Sequence, residues 1–235
     1  MTKEIIKRFD GKIGEEYNLF RLACPHYDEL QETVVGGITS IRPKSILEIG
    51  CGNGCTTALL VESNPTARIT AIDNETTMIR QAKNCLDEYV GEGQVKLVEQ
   101  DALDYLQSLP TKSVDAVASV FTLHNFQREY RGEILKEIHR VLNESGIFVN
   151  GDKYARDNRK EHQQDLAWQL EQFKLYDKMG RPELRQQWRE HYLEDEAPKV
   201  IMLEEEAIAE MKKIGFSSID ILLRKKMEAI LSCQK

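Results

Sequence analysis

The stretch Ser45-Ile46-Leu47-Glu48-Ile49-Gly50-Cys51-Gly52-Asn53-Gly54-Cys55 decides the reading of this chain. Its aliphatic first half reads as a buried strand, glycines follow at alternate positions, and a helical pattern opens near Cys55. Strand, glycine loop and helix begin a βαβ unit, in which glycines let the backbone turn tightly and approach a ligand with no Cβ in the way. A dinucleotide fingerprint G-x-G-x-x-G would place its third glycine at position 55, where Cys55 stands, so the spacing argues against a nicotinamide cofactor.

Outward from this loop, the apolar runs RITAID, VKLVE, VDAVASV and GIFVNG continue the strand pattern, separated by segments of helical period. Met78, Ala82, Cys85, Leu86 and Tyr89 recur at helical spacing, as do Tyr130, Ile134, Ile138 and Val141. Repeated βαβ units predict a mainly parallel sheet covered on both faces. After Gly151 the chain turns polar and helix-prone from Asp152 to Lys199, which predicts a helical insertion with Leu166, Leu170 and Phe173 on one apolar face. A helix from about Leu203 to Ile214 then ends at Gly215, and FSSIDILL and MEAILSC read as a closing antiparallel hairpin separated by Arg224-Lys225-Lys226. The expected organisation is one domain: an N-terminal cap over 1–44, a ligand-binding core over 45–151, the insertion or lid over 152–200, and the last helix and hairpin over 201–235.

Composition narrows the function. The chain has 235 residues, 41% of them hydrophobic, enough for one large core. A net charge of −7 disfavours a nucleic-acid partner, and the absence of a long apolar run disfavours a membrane one. The five cysteines form no C-x-x-C pair, so no metal site is expected and a cytoplasmic location with reduced thiols is.

Two carboxylates fall at strand ends. Asp73 can accept from both hydroxyls of a ribose or cap the helix after it; Asp101 can accept from an adenine amine, with the Ala102 amide donating to the ring, or cap its own helix. The stretches ILEIGCGNG, AIDNE, EQDALDY, DAVASVFTLHNF and LNESGIFV resemble the successive motifs of class I S-adenosylmethionine (SAM)-dependent methyltransferases. That resemblance implies a Rossmann-like α/β fold, with a seven-stranded mostly parallel sheet, an antiparallel C-terminal hairpin and N-terminal helices. It implies SAM as cofactor and S-adenosylhomocysteine as product. Glu48, Gly50, Cys51 and Gly52 would hold the methionine portion, Asp73 and Asn74 the ribose, and Asp101 and Ala102 the adenine, with Ser119 to Phe121 flanking the sulfonium. The leader RFDGKIGEEYNLFRLACPHYDEL is similar to one that folds over the cofactor in small-molecule methyltransferases, which brings in Tyr17; Asn18 stands where those proteins have Asp. A narrower stretch, ITAIDNETTMIRQAKNCLDEY, is similar to carboxy-S-adenosylmethionine synthase, a SAM-using enzyme of tRNA modification. A SAM-binding protein without catalysis is a third reading.

Methyl transfer from a sulfonium is an in-line displacement, so it asks chiefly for positioning, and for a base only where the acceptor must lose a proton. His124, just beyond the fourth strand, is the candidate base; an edge histidine bonded to backbone is the plainer reading. Asn125 is a candidate contact to a small-molecule acceptor or shapes the turn; Tyr17, Arg21, Asp152 and Tyr154 are weaker candidates, each in a segment expected near the mouth or an ordinary surface residue. A homodimer through the insertion is left open.

Overall fold

The aliphatic runs form strands because both faces of the sheet are covered. The computed structural model describes Phe9 and residues 12–235, so most of the leader segment Arg8 to Gly11 lies outside the described residues. The strands are β1 (Ser45–Ile49), β2 (Arg68–Asp73), β3 (Val95–Glu99), β4 (Val114–Val120), β5 (Leu142–Lys153), β6 (Ser217–Lys225) and β7 (Glu228–Gln234). Their order is β3-β2-β1-β4-β5-β7-β6. The first five pair in parallel, and β7 enters antiparallel between β5 and β6.

Alternation along the strands divides the core in two. Ile46, Ala116 and Ala118 face Leu30, Val34 and Ile38 of the helix Tyr27–Thr39 and Leu60 of the helix Cys55–Ser63. Leu47, Ile49 and Val117 face Ile134 and Ile138 of the helix Arg128–Val141, with Ala207 and Met211 of the helix Glu204–Ile214. The order of strands reverses between β1 and β4, which opens a crevice at their carboxyl ends. Gly215 closes the helix Glu204–Ile214 at φ 119°, a left-handed conformation that glycine adopts without a Cβ penalty.

The expected boundary of the insertion is corrected. Asp152 and Lys153 complete β5, both buried, and the Tyr154 amide donates to the Met227 carbonyl, so the chain leaves the sheet only after Ala155. The reason is β7: it pairs with β5 as far as Lys153, so polar residues continue the ladder. Likewise Arg224 and Lys225 are strand residues of β6 rather than the hairpin turn.

The insertion folds as the helices Arg159–Gln172, Leu175–Lys178 and Pro182–Glu194. Its buried rings, Phe173, Tyr176, Trp188 and Tyr192, pack on the N-terminal segment. Trp188 stacks on Phe20 at 4.4 Å, the Tyr176 hydroxyl donates to the Leu19 carbonyl at 3.1 Å, and Gln169 donates to the Ala23 carbonyl at 2.8 Å. Insertion and N-terminal segment thus form one cap over the crevice. Segments packed mostly on one another open locally more easily than central strands. Amide exchange in peptides covering 12–23 and 159–194 is therefore expected to be faster than in β1 and β4 and to slow when S-adenosylhomocysteine is added. Protection equal to that of β1 in the free protein would make the cap a fixed part of the core.

Candidate cofactor and acceptor site

Four consecutive strand ends build one cavity. β1 supplies Ile49, Gly50 and Gly52; β2 supplies Ile72, Asp73, Asn74 and Glu75; the segment after β3 supplies Gln100, Asp101 and Ala102; β4 supplies Val120, Phe121 and Thr122. Tyr17 closes it from the cap. Gly50 and Gly52 both adopt positive φ, 70° and 53°. A Cβ on Gly52 would meet no protein atom within 4 Å, so the surface beside it is left free for a ligand.

Asp73 ends β2 with both carboxylate oxygens turned back to the chain: one accepts from the Gly52 amide at 2.9 Å, the other from the Glu75 amide at 2.9 Å. It therefore couples the glycine loop to the next turn while lining the cavity. Burial pushes its pKa up, against these backbone donors, which favour the ionised form. Asp101 caps the helix Ala102–Ser108, accepting from the Leu103 and Asp104 amides, and its other oxygen accepts from the Tyr130 hydroxyl at 2.9 Å. The capping role is thus present, and the same residue and Ala102 line the cavity.

Other expected residues fall elsewhere. Glu48 is buried beneath the glycine loop, where it accepts from the Thr57 hydroxyl at 2.6 Å, and is not part of the cavity wall. Cys51 lines a smaller annex between the loop and Tyr17. Ser119 is fully buried within β4 and is not part of the main cavity wall, which the residues after it, Val120, Phe121 and Thr122, supply. Arg21 is exposed and bound to Asp28 at 2.7 Å. Tyr154 is buried in the opposite core layer, accepting from Asn150 at 2.7 Å. Asn125 does reach the cavity, its amide nitrogen donating to the Phe121 carbonyl. Phe121, expected at this edge from the resemblance, lines the cavity, and Tyr130, Met78 and Phe126 complete the wall; the first two of these carry a helical periodicity whose apolar face hides their use, and Phe126 has no signal in the sequence.

Phe121 sits at φ 50°, uncommon for a residue with a Cβ and a mark of a position held by its surroundings. Together with Phe9 and Tyr17 it separates the cavity from a second chamber lined by Phe20, His124, Lys153, Trp188, His191 and Tyr192. His124 is buried there with Nδ1 at 2.5 Å from Asp152 Oδ1. That carboxylate fixes the Nδ1–H tautomer and leaves the Nε2 lone pair on the chamber side. Burial pushes the His124 pKa down, outweighing Asp152, which pulls it up, so the neutral imidazole is favoured. Lys153 is bonded to Asp195, and its ammonium lies 3.5 Å from the centre of the Tyr192 ring.

Burial pushes the Glu48 pKa up to about 7, against the Thr57 hydrogen bond that lowers it. A raised carboxyl pKa means that the folded state holds the proton longer than the unfolded one. The stability it contributes is present below the ordinary value of 4.5 and is lost as pH rises through about 7. Glu48→Gln keeps an acceptor for Thr57 and removes the ionisation. It should raise stability at pH 8 by up to ~3 kcal/mol and flatten the slope between pH 5 and 8. An unchanged slope in denaturant titrations would show that Glu48 is ionised in the fold.

A doubly wound sheet in this order, with a glycine loop after β1 and a carboxylate ending β2, has the class I methyltransferase architecture. An O-methyltransferase family protein of Burkholderia thailandensis superposes on 97% of this chain and 61% of its own, with a TM-score of 0.67 at 14% identity. A SAM-dependent methyltransferase of Aquifex aeolicus superposes on 92% of this chain and 96% of its own, with a TM-score of 0.59 at 16% identity. Residues 46–146 match the family model described as a methyltransferase domain. A carboxy-S-adenosyl-L-methionine synthase of Shewanella piezotolerans is 31% identical over 153 residues, 62% of this chain and 60% of that relative. The alignment thus covers less than two thirds of that relative's length. Over residues 46–146 the chain is thus similar to a methyltransferase domain, and it shares the fold of SAM-dependent methyltransferases. Among the described residues no helix is long and apolar enough to cross a membrane.

Proposed function

We propose that this protein transfers a methyl group from SAM to a small-molecule acceptor in the cytoplasm. The observation that carries the reading is an adjacent pair of spaces that share Phe9, Tyr17 and Phe121 as walls: a cavity at the ends of β1 to β4, and beyond Phe121 a narrow aromatic chamber holding an Asp-oriented histidine. In this reading Gly52 and Cys51 contact the methionine end, Asp73 and Asn74 the ribose, and Asp101 and Ala102 the adenine. The cofactor supplies an activated methyl group. The chain holds the acceptor in line behind Phe121, and His124 Nε2 takes its proton while Asp152 supports the imidazolium that forms. Tyr17, Phe20, Trp188 and Tyr192 exclude water and restrict the acceptor to a small molecule.

The likeness to carboxy-S-adenosylmethionine synthases favours a second reading, use of the same domain to carboxylate the cofactor. That chemistry asks for a cation beside the added carboxylate. None of the described residues lining the main cavity is Lys or Arg, and Lys153 in the adjoining chamber is already bonded to Asp195. Methyl transfer is therefore the reading that the side chains support better.

Titration calorimetry with SAM, S-adenosylhomocysteine and NAD, followed by release of labelled methyl groups into a metabolite pool, tests it. Binding of the first two with turnover is expected. His124→Ala should bind S-adenosylhomocysteine as the parent does and transfer methyl ~10²–10⁴-fold more slowly, the usual worth of a positioned base. Binding without turnover in any pool would favour a sensor.

A further inference from the structure

We infer that His124, His191 and Asp195 form a binding site for a divalent transition-metal ion of the zinc or cobalt type, facing the aromatic chamber. The three are buried, and each offers a ligand atom within 4.8 Å of the others. His124 Nε2 stands 3.9 Å and His191 Nε2 3.8 Å from Asp195 Oδ2. Bonds of ~2.0–2.1 Å around a tetrahedral ion put neighbouring donors ~3.4 Å apart, so the two sides to Asp195 contract by about half an ångström, and the two imidazole nitrogens, within 4.8 Å of each other, by up to about 1.4 Å. Two imidazoles and one carboxylate are a donor set that a borderline ion takes, leaving a fourth position open to solvent or substrate.

The surroundings are those of a ligand set rather than of three incidental side chains. Asp152 holds His124 by Nδ1, the outer-shell carboxylate that orients a metal-binding imidazole and keeps Nε2 unprotonated. The ligands come from separate elements, the turn after β4 and the end of the cap helix Pro182–Glu194, so an ion would tie the cap to the sheet edge. Lys153 marks the same spot as one built for positive charge, since its ammonium is bonded to Asp195 and lies against Tyr192. An ion must displace that ammonium, which makes Lys153 the competitor for the site. Bound there, it would take the lone pair that His124 otherwise uses as a base. It would instead polarise an acceptor oxygen or sulfur directly.

The test is titration of Co²⁺ into chelator-treated full-length protein, read by visible absorption and by calorimetry. One equivalent is expected, with the absorption of a four-coordinate ion. His191→Ala should weaken binding at least tenfold, and Lys153→Met, which removes the competitor and keeps the three ligands, should tighten it at least tenfold. Circular dichroism melting of both variants checks that they fold. Absence of site absorption in both the parent and Lys153→Met overturns the inference. So does equal binding by His191→Ala, or near-ultraviolet thiolate-to-cobalt bands that assign the ion to the cysteines. Calorimetry with S-adenosylhomocysteine on the same samples keeps failure here distinct from failure of the methyl-transfer reading.

Discussion

Gly50→Ala should disable folding while Gly52→Ala should disable binding, although the two glycines lie two positions apart in one loop. A Cβ on Gly50 would stand 2.2 Å from Thr122 Oγ1 and 2.3 Å from Thr122 Cγ2, and the residue would also be held at φ 70°. Thr122 has little room to withdraw, since its hydroxyl bonds the Gly50 and Val120 carbonyls. Overpacking and left-handed backbone together should cost roughly 2–5 kcal/mol. Gly52→Ala meets no protein atom, so only the backbone term of ~1–2 kcal/mol applies to stability. Its methyl group instead enters the space assigned to the cofactor, and the Kd for S-adenosylhomocysteine should rise at least tenfold. Denaturant titration and calorimetry on the two variants separate the effects. Equal stability losses with unchanged binding in Gly52→Ala would mean that the loop does not touch the cofactor.

Asp73→Ala should weaken S-adenosylhomocysteine binding by ~1.5–3 kcal/mol, about 10- to 150-fold in Kd, the scale of lost charge-assisted hydrogen bonds. The carboxylate serves the site twice, holding the Gly52 amide in place and presenting its remaining lone pairs to the cavity. Its loss should consequently loosen the loop, seen as faster amide exchange at 50–54, in addition to removing the proposed ribose contact. The helix Thr76–Cys85 loses a cap-like contact at Glu75, so a modest drop in melting temperature should accompany the binding defect. Unchanged affinity in the folded variant would remove Asp73 from the cofactor site.

The sequence by itself determined the sheet and the edge that carries the main cavity. Alternating aliphatic runs with helical periods between them admit few arrangements, and Gly50, Gly52, Asp73, Asp101 and Ala102 sit at strand ends that any doubly wound topology brings together. Local rules also placed Gly215 and the closing hairpin. Only the tertiary structure decided which side chains leave the sheet at that edge. Glu48 and Ser119 belong to the right strands, yet both are buried away from the main cavity, one capped by Thr57 and the other enclosed in β4. Arg21 and Tyr154 are in the right segments, but one found Asp28 and the other Asn150. The chamber could not be read along the chain, because His124, Asp152, Lys153, His191 and Asp195 meet through the docking of a cap helix on the end of β5. Such convergence depends on packing between segments far apart in sequence, and no local period or spacing encodes it. The extension of β5 through Asp152 and Lys153 has the same origin: pairing with β7 carried two polar residues into the ladder and turned them toward the histidines.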